Sequence, residues 1–270
     1  MIEHKPKVSV VIPFYNNGKF LLRALRSVLS QTFEDFEILV VDDGSEESYF
    51  SVIDALRLKN LSYLRLKHSN ANVARNYGII SSNGSYIAML DADDEWLPHH
   101  LASGVNFIEK HNCDGVYSSV FARRGDDMEV SYSRQKHTNE KMINYLLSSG
   151  FGVQTSTLFM KASAAKKILW DETLYRHQDY DFVIRFDKEF ELLCNPNITS
   201  IYHINDSSSR SIDFDSCVRF IDKYRSDISS DIYKVYHKEM LKNAIKLGAE
   251  SHIINHYIEN STDENSVYHK

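Results

Sequence analysis

Asp91-Ala92-Asp93 sets two carboxylates two residues apart. At a strand end, side chains at i and i+2 share a face, so the two can converge. Like charges that converge are unfavourable unless a cation sits between them. Oxygen ligands alone suit Mg2+ or Mn2+, with phosphate oxygens and water completing the shell. Read locally, the same residues are a solvated acidic turn or a helix cap before Pro98. Asp42 and Asp43 close an apolar run. A carboxylate there accepts from a ribose hydroxyl or a base N–H, or it forms an Asx turn with Gly44. Arg75 carries a planar fork suited to a diphosphate, or is a solvated helix arginine. Gln178-Asp179-Tyr180-Asp181 opens a helical pattern. Orphan N–H groups keep a carboxylate ionised there, which makes Asp179 a competent proton acceptor or a plain N-cap. Trp96, beside the acidic loop, is a platform for a sugar face or part of the core. His203 is the one of twelve scattered histidines that follows the last strand.

These residues need a scaffold, and the hydrophobic pattern supplies one. Val8 to Ile12, Phe36 to Val41, Leu61 to Leu66 and Tyr86 to Leu90 read as strands. Helical spacing fills the intervals: about Lys19 to Gln31, Ser48 to Leu58 and Val73 to Ser81. Alternation of this kind predicts an α/β fold with a mostly parallel sheet covered by helices. Ligands in such sheets sit beyond the carboxyl ends of the strands, where Pro13 to Asn17, Asp42-Asp43 and Asp91 to Asp93 fall. After Pro98 the pattern predicts a helix to about Lys110 and a strand over Gly115 to Ala122. A polar loop over 123–140 follows, then a strand over Thr155 to Met160. Next come a helix over Ala162 to Ile168, another from about Asp179, and a last strand over Ile198 to His203. Residues 204–212 are Ser-rich, and 213–258 read as helical with a frayed tail. An α/β part is therefore expected over 1–205, divided at 101/102, with a helical extension over 206–270.

Composition narrows the class. The 270 residues carry 31 Lys+Arg against 37 Asp+Glu, a formal charge of −6. That balance argues against a nucleic-acid surface. The three cysteines are odd in number and widely spaced, which suggests a reducing compartment. The first residues lack a signal-peptide h-region, and no apolar run approaches a membrane span. A cytoplasmic protein is expected, with peripheral attachment to a membrane left open. Lys234, Lys238, Lys242 and Lys246 recur every four residues beside apolar neighbours. They read as a docked helix with a solvated edge, or as an interfacial helix meeting anionic lipid.

Taken in order, the motifs resemble family 2 glycosyltransferases. Val8-Ser9-Val10-Val11-Ile12-Pro13-Phe14-Tyr15-Asn16 resembles the family's opening strand. Ile38 to Ser45, Ala74 to Gly78 and Tyr86 to Pro98 are similar to its later signatures. The resemblance is specific over about 7–101 and fades beyond. It implies a GT-A fold, Rossmann-like, and inverting sugar transfer from a nucleotide sugar, with UDP expected. The acceptor would be a hydroxyl of a glycan or of a polyprenyl-diphosphate-linked glycan in bacterial surface polysaccharide synthesis. By resemblance Pro13 and Tyr15 line the nucleoside pocket and Asp42 contacts the base. Arg75 lies near the diphosphate. Asp91 and Ala92 meet the donor, and Asp91 and Asp93 hold Mn2+ or Mg2+. Asp179 is the base, while Asp94, Trp96 and Gln178 lie toward the acceptor. Gln178 stands where Glu is usual, and Asn72 where Gly is common. His203 falls where some members place a metal-ligating His, although Tyr202-His203-Ile204-Asn205 departs from their order.

Eight acids would then gather in or beside one cleft: Asp42, Asp43, Asp91, Asp93, Asp94, Glu95, Asp179 and Asp181. Two other readings stay open at this point. One is a metal-dependent phosphoryl-transfer enzyme with Asp91 as nucleophile. The other is a non-catalytic nucleotide- or sugar-binding module.

Overall fold

The computed structural model of the chain describes residues 5–148, 152–204 and 212–261. Strand β1 (Val8–Phe14) is wholly buried, as its β-branched run requires. Helix α1 (Gly18–Leu29) turns Leu21, Ala24, Leu25 and Val28 onto the sheet. Then come β2 (Phe36–Asp42), the short α2 (Phe50–Asp54), β3 (Leu61–Arg65), α3 (Ala71–Ser81) and β4 (Tyr86–Met89). The two-residue β5 (Glu95–Trp96) precedes α4 (His100–His111). Next follow β6 (Gly115–Ser118), β7 (Val120–Arg124), β8 (Asp127–Ser131), α5 (Met142–Leu147), β9 (Phe159–Lys161) and α6 (Ala162–Ile168). Helix α7 (Gln178–Glu189), β10 (Leu192–Asn195) and β11 (Ser200–His203) lead to α8 (Phe214–Lys223), α9 (Ser230–Leu247) and α10 (Ser251–Ser261).

Seven strands form one sheet in the order β10-β6-β9-β4-β1-β2-β3. All neighbours run parallel except β9, which opposes both β4 and β6. β1 pairs with β2 on one side and β4 on the other. The chain thus reverses its order of addition at β1, and a crevice opens there at the strands' carboxyl ends. A second sheet, β5-β11-β7-β8, stands beside it.

One apolar cluster packs α1 and α4 against the sheet through Leu21, Leu25, Val28, Leu101 and Val105. The other joins α3, α5, α6 and α7 to Cys217, Phe220, Tyr236 and Tyr257 of the C-terminal helices. The last three helices are therefore continuous with the core of the preceding chain. The boundary expected at 205/206 and the frayed tail lie outside the described residues.

Three expectations change. Gly115 to Ala122 is two strands in different sheets, because the chain leaves the main sheet at Ser118-Ser119. Within 123–140, Asp127–Ser131 forms β8 rather than loop. Only Met128 and Val130 alternate there with polar residues, and the strand is exposed along most of its length, so the pattern is too short and too polar to stand out from loop. Thr155–Thr157 is a 3-10 turn, and only Phe159–Lys161 pairs as a strand.

Candidate active site

The carboxyl ends of β4, β1 and β2 meet at a cleft of about 640 Å³. Pro13, Phe14, Tyr15, Asp43, His68, Arg75, Asp91, Ala92, Asp93, Gln178 and His203 contribute to its walls.

At one end, Tyr15 stacks on His68, with ring centroids 4.3 Å apart and planes 18° apart. The His68 Nδ1 lies 2.9 Å from the Asp43 carbonyl oxygen and 3.0 Å from its carboxylate. Asp43 also accepts from Ser69 N–H at 2.9 Å. Gly44 makes this approach feasible: it sits at φ 73°, and a Cβ there would lie 2.5 Å from His68 N. Asn16 and Asn17, at φ 51° and 67°, turn the chain from β1 into α1 in the left-handed conformation that Asn tolerates.

Asp42 takes a different part from the one expected. Its carboxylate is fully buried and accepts from Ser45 N–H at 2.8 Å, Ser45 Oγ–H at 2.6 Å and the Tyr63 hydroxyl. It does not line the cleft, and Asp43 does.

At the other end lies Arg75. Its guanidinium stacks over Trp170 at 4.6 Å and donates to Asp91 at 2.8 Å and to Gln178 Oε1 and Asn72 Oδ1, each at 3.0 Å. Asn72 in turn donates to the carbonyls of Asp171 and Leu174. Asn76 exchanges hydrogen bonds with Trp170 and donates to Glu172. Helix α3 is thereby stitched to the segment that leads into α7. Gln178 lines the cleft, but both ends of its amide are engaged, with Arg75 and with the Tyr175 carbonyl. Its geometry is that of a partner to Arg75 rather than of an acceptor contact.

Asp94 and Trp96 also depart from expectation. Asp94 is buried and accepts from Ser156 Oγ at 2.5 Å and from His203 N–H at 3.1 Å. Burial, then the charges of Asp93 and Asp91, push its carboxyl well above the usual range. Trp96 donates its indole N–H to the Ser156 carbonyl at 2.7 Å and stacks on His100 at 4.0 Å. Both sit in the structure beneath the loop and present nothing to the cleft.

Asp179 lies in the first turn of α7, and its Oδ1 accepts from Tyr180 N–H at 2.9 Å. Burial raises its carboxyl pKa; the Tyr180 N–H and Arg75 oppose the rise, and Asp91 adds to it. Asp181 points away, buried against Lys223, Arg185 and Tyr224. Asp91 and Asp93 both line the cleft, and two carboxylates suit a hard cation whose other ligands are phosphate oxygens and water. Among the described residues no group of three or more His, Cys, Asp or Glu is arranged to hold a metal by itself. His203 lines the cleft, but its Nε2 is 2.6 Å from Glu95, and burial lowers its pKa.

Sequence reasoning set Asp42 and Asp43 together at the cleft and gave the base contact to Asp42, whereas Asp43 is the one that lines it; it missed His68, Ser156 and Tyr175 altogether. His68 was within reach, because it follows the carboxyl end of β3, beside the ends of β1 and β2 at the crevice.

The Glycosyl transferase family 2 model matches residues 9–169, more than half of the chain. The amylovoran biosynthesis glycosyltransferase AmsB of Erwinia amylovora is 33% identical over 202 residues, which are 70% of this chain and 67% of that one. The structure of S. aureus TarS 1–349 in complex with UDP-GlcNAc aligns with a TM-score of 0.65 at 20% identity, covering 94% of this chain and 72% of that one. Full TarS is about twice as long, and the alignment covers 49% of it. The mannosyltransferase PcManGT from Pyrobaculum calidifontis, in complex with GDP-Man and Mn2+, aligns at 0.62 and 15% identity, covering 84% of this chain and 66% of that one. The fold is GT-A. Family membership removes the phosphoryl-transfer and non-catalytic readings, and the chain belongs to glycosyltransferase family 2.

Proposed function

We propose that the protein transfers a hexose with inversion from a UDP-sugar to a carbohydrate hydroxyl, in the synthesis of a bacterial surface polysaccharide. The observation that carries this reading is one cleft with the Tyr15–His68 stack and Asp43 at one end and Arg75, Asp91 and Gln178 at the other, with Asp179 next to Gln178 in the first turn of α7 and not itself in the cleft wall. The stack and Asp43 suit a base and its N–H. Arg75 suits the diphosphate, and Asp179 removes the acceptor proton as that oxygen attacks the anomeric carbon from the opposite face. A single displacement needs no covalent sugar intermediate. AmsB's name supports a polysaccharide product, and the TarS complex supports a UDP-sugar donor.

Among the described residues, the charged ones lining the cleft are Asp43, Asp91 and Asp93 against Arg75. A diphosphate would enter a negative site, so we include a divalent cation, Mn2+ or Mg2+, held by Asp91 and Asp93. When bound, it would neutralise charge on the leaving diphosphate.

A thermal-shift screen of nucleotide sugars tests donor and metal together. A UDP-sugar with Mn2+ is expected to raise the melting temperature, because a ligand that binds only the folded state stabilises it by mass action. The shift should vanish with EDTA. An equal shift in EDTA would remove the metal, and a shift with GDP-mannose alone would remove UDP.

A cytoplasmic location with peripheral membrane contact through the C-terminal helices belongs to the same proposal. No helix among the described residues is long and apolar enough to cross a membrane. Lys238, Lys242 and Lys246 are exposed beside exposed Val235, Ile245 and Leu247, although Lys242 pairs with Glu239. The protein is expected to sediment with anionic vesicles, and Lys238→Glu with Lys246→Glu should release it. Unchanged sedimentation of that double variant would sink the contact.

A further inference from the structure

The segment entering α7 is held from a direction that the donor site does not explain. His177, immediately before α7, adopts φ 57°, a left-handed conformation that a residue with a side chain keeps only when its surroundings impose it. Those surroundings are α8 and α9. Ser216 is wholly buried, and its Oγ accepts from Tyr175 N–H at 2.9 Å and Arg176 N–H at 3.0 Å. Ser216 is itself fixed by the cap of α8, where its N–H donates to Asp213 Oδ1 at 2.7 Å. The His177 Nε2 is 3.0 Å from the Tyr236 hydroxyl of α9, and its ring packs on Phe220 at 4.8 Å. One turn on, buried Asp181 is bound by Lys223 at 2.6 Å and the Tyr224 hydroxyl at 2.7 Å. The Asp181 N–H closes the turn onto the His177 carbonyl at 2.9 Å.

Asp179 sits between these anchors. Its carboxylate accepts from the backbone N–H of Tyr180, so its direction follows the backbone of this turn. Neither Ser216 nor Tyr236 lines the cleft.

We infer that α8 and α9 brace the first turn of α7 so that Asp179 faces the acceptor, with Ser216 and Tyr236 as positioning residues. The inference rests on Asp179 being the base. A base misplaced by about 1 Å can cost up to 100-fold in rate, whereas donor binding draws on β1, β2 and α3, to which Ser216 and Tyr236 make no direct hydrogen bond and which meet the braced segment through Asn72 and Arg75.

The test uses the full chain, Ser216→Ala and Tyr236→Phe as separate variants, UDP with Mn2+ for calorimetry, and UDP release from the most stabilising UDP-sugar for turnover. Each variant is expected to lose about 10- to 100-fold in kcat. UDP affinity and donor KM should stay within about twofold of the parent. That split separates positioning from general loosening, which would weaken UDP binding as well. Unchanged kcat in both variants, or a fall matched by lost UDP affinity, overturns the brace. Retained turnover in Asp179→Asn overturns the base assignment and the brace together. Turnover lost in Asp179→Asn but kept in both brace variants overturns the brace alone.

Discussion

Asp179→Asn is expected to lower turnover by roughly 10²–10⁴-fold, the span of a general base, and to leave UDP affinity intact. The amide keeps the shape of the side chain and its acceptor oxygen for the Tyr180 N–H, but it cannot take a proton from the incoming hydroxyl. Burial holds the Asp179 carboxyl above the usual carboxylate range, with Asp91 adding to the effect and the Tyr180 N–H and Arg75 opposing it. The base must be ionised to work. Turnover should therefore fall on the acid side as pH drops through this raised value, and that limb should be missing from the residual activity of the Asn variant. Stability runs the other way. A carboxyl whose folded pKa is raised favours its protonated form in the folded state. The stabilisation is present below the ordinary carboxylate pKa and is lost as pH rises through the raised one. At neutral pH the ionised Asp179 is a burden on the fold, and the Asn variant should melt higher than the parent. Kinetics across pH and thermal melts at pH 7 read both signs. Normal turnover in Asp179→Asn would show that another group takes the proton.

The parts of the site legible in the chain were those fixed by local pattern. The β-branched run of β1, the apolar run of β2 and the strand before Asp91 declare themselves by hydrophobicity and by the turn residues that end them. Their alternation with helices places three carboxyl ends side by side. Which of two adjacent acids faces the cleft was not legible. Asp42 is drawn inward by Tyr63 on the neighbouring strand and by Ser45 across the turn, and that leaves Asp43 to meet His68. Trp96 and Asp94 look available because they flank the acidic loop. They are committed by Ser156, about sixty residues later in a segment whose pattern reads as a strand and which instead turns. Gln178 looked like a departure from the acidic residue usual there. In space its amide oxygen accepts from the guanidinium that also pairs with Asp91. Long-range hydrogen bonds decide all of these placements, and one-dimensional patterns do not carry them.

The largest effect on the donor side is expected at Arg75. The guanidinium is nearly buried, and in Arg75→Ala it leaves Asp91, Gln178 and Asn72 without their shared donor and Trp170 without its stacked cation. Unpaired groups of this kind make a loss of about 2–4 kcal/mol in unfolding free energy the expected result, at the lower end because Asp91 keeps some contact with water. The chemical cost is separate. Among the described charged residues lining the cleft, Arg75 is the cation set against Asp43, Asp91 and Asp93, so its removal makes that lining more negative. Turnover should fall roughly 10²–10³-fold, as when a preorganised donor to developing negative charge is removed, and UDP affinity should fall with it. Arg75→Lys separates the two contributions. A lysine restores charge beside Asp91, but it lacks the planar fork that reaches Asn72 and Gln178 at once, so it should recover stability more than turnover. Urea unfolding, UDP calorimetry with Mn2+ and steady-state kinetics on both variants give the comparison. The joint loss of binding and rate at Arg75, set against the loss of rate alone at Asp179, assigns one residue to the leaving diphosphate and the other to the attacking hydroxyl. Parental UDP affinity in Arg75→Ala would remove the guanidinium from the donor site and leave it a purely structural tie between α3 and α7.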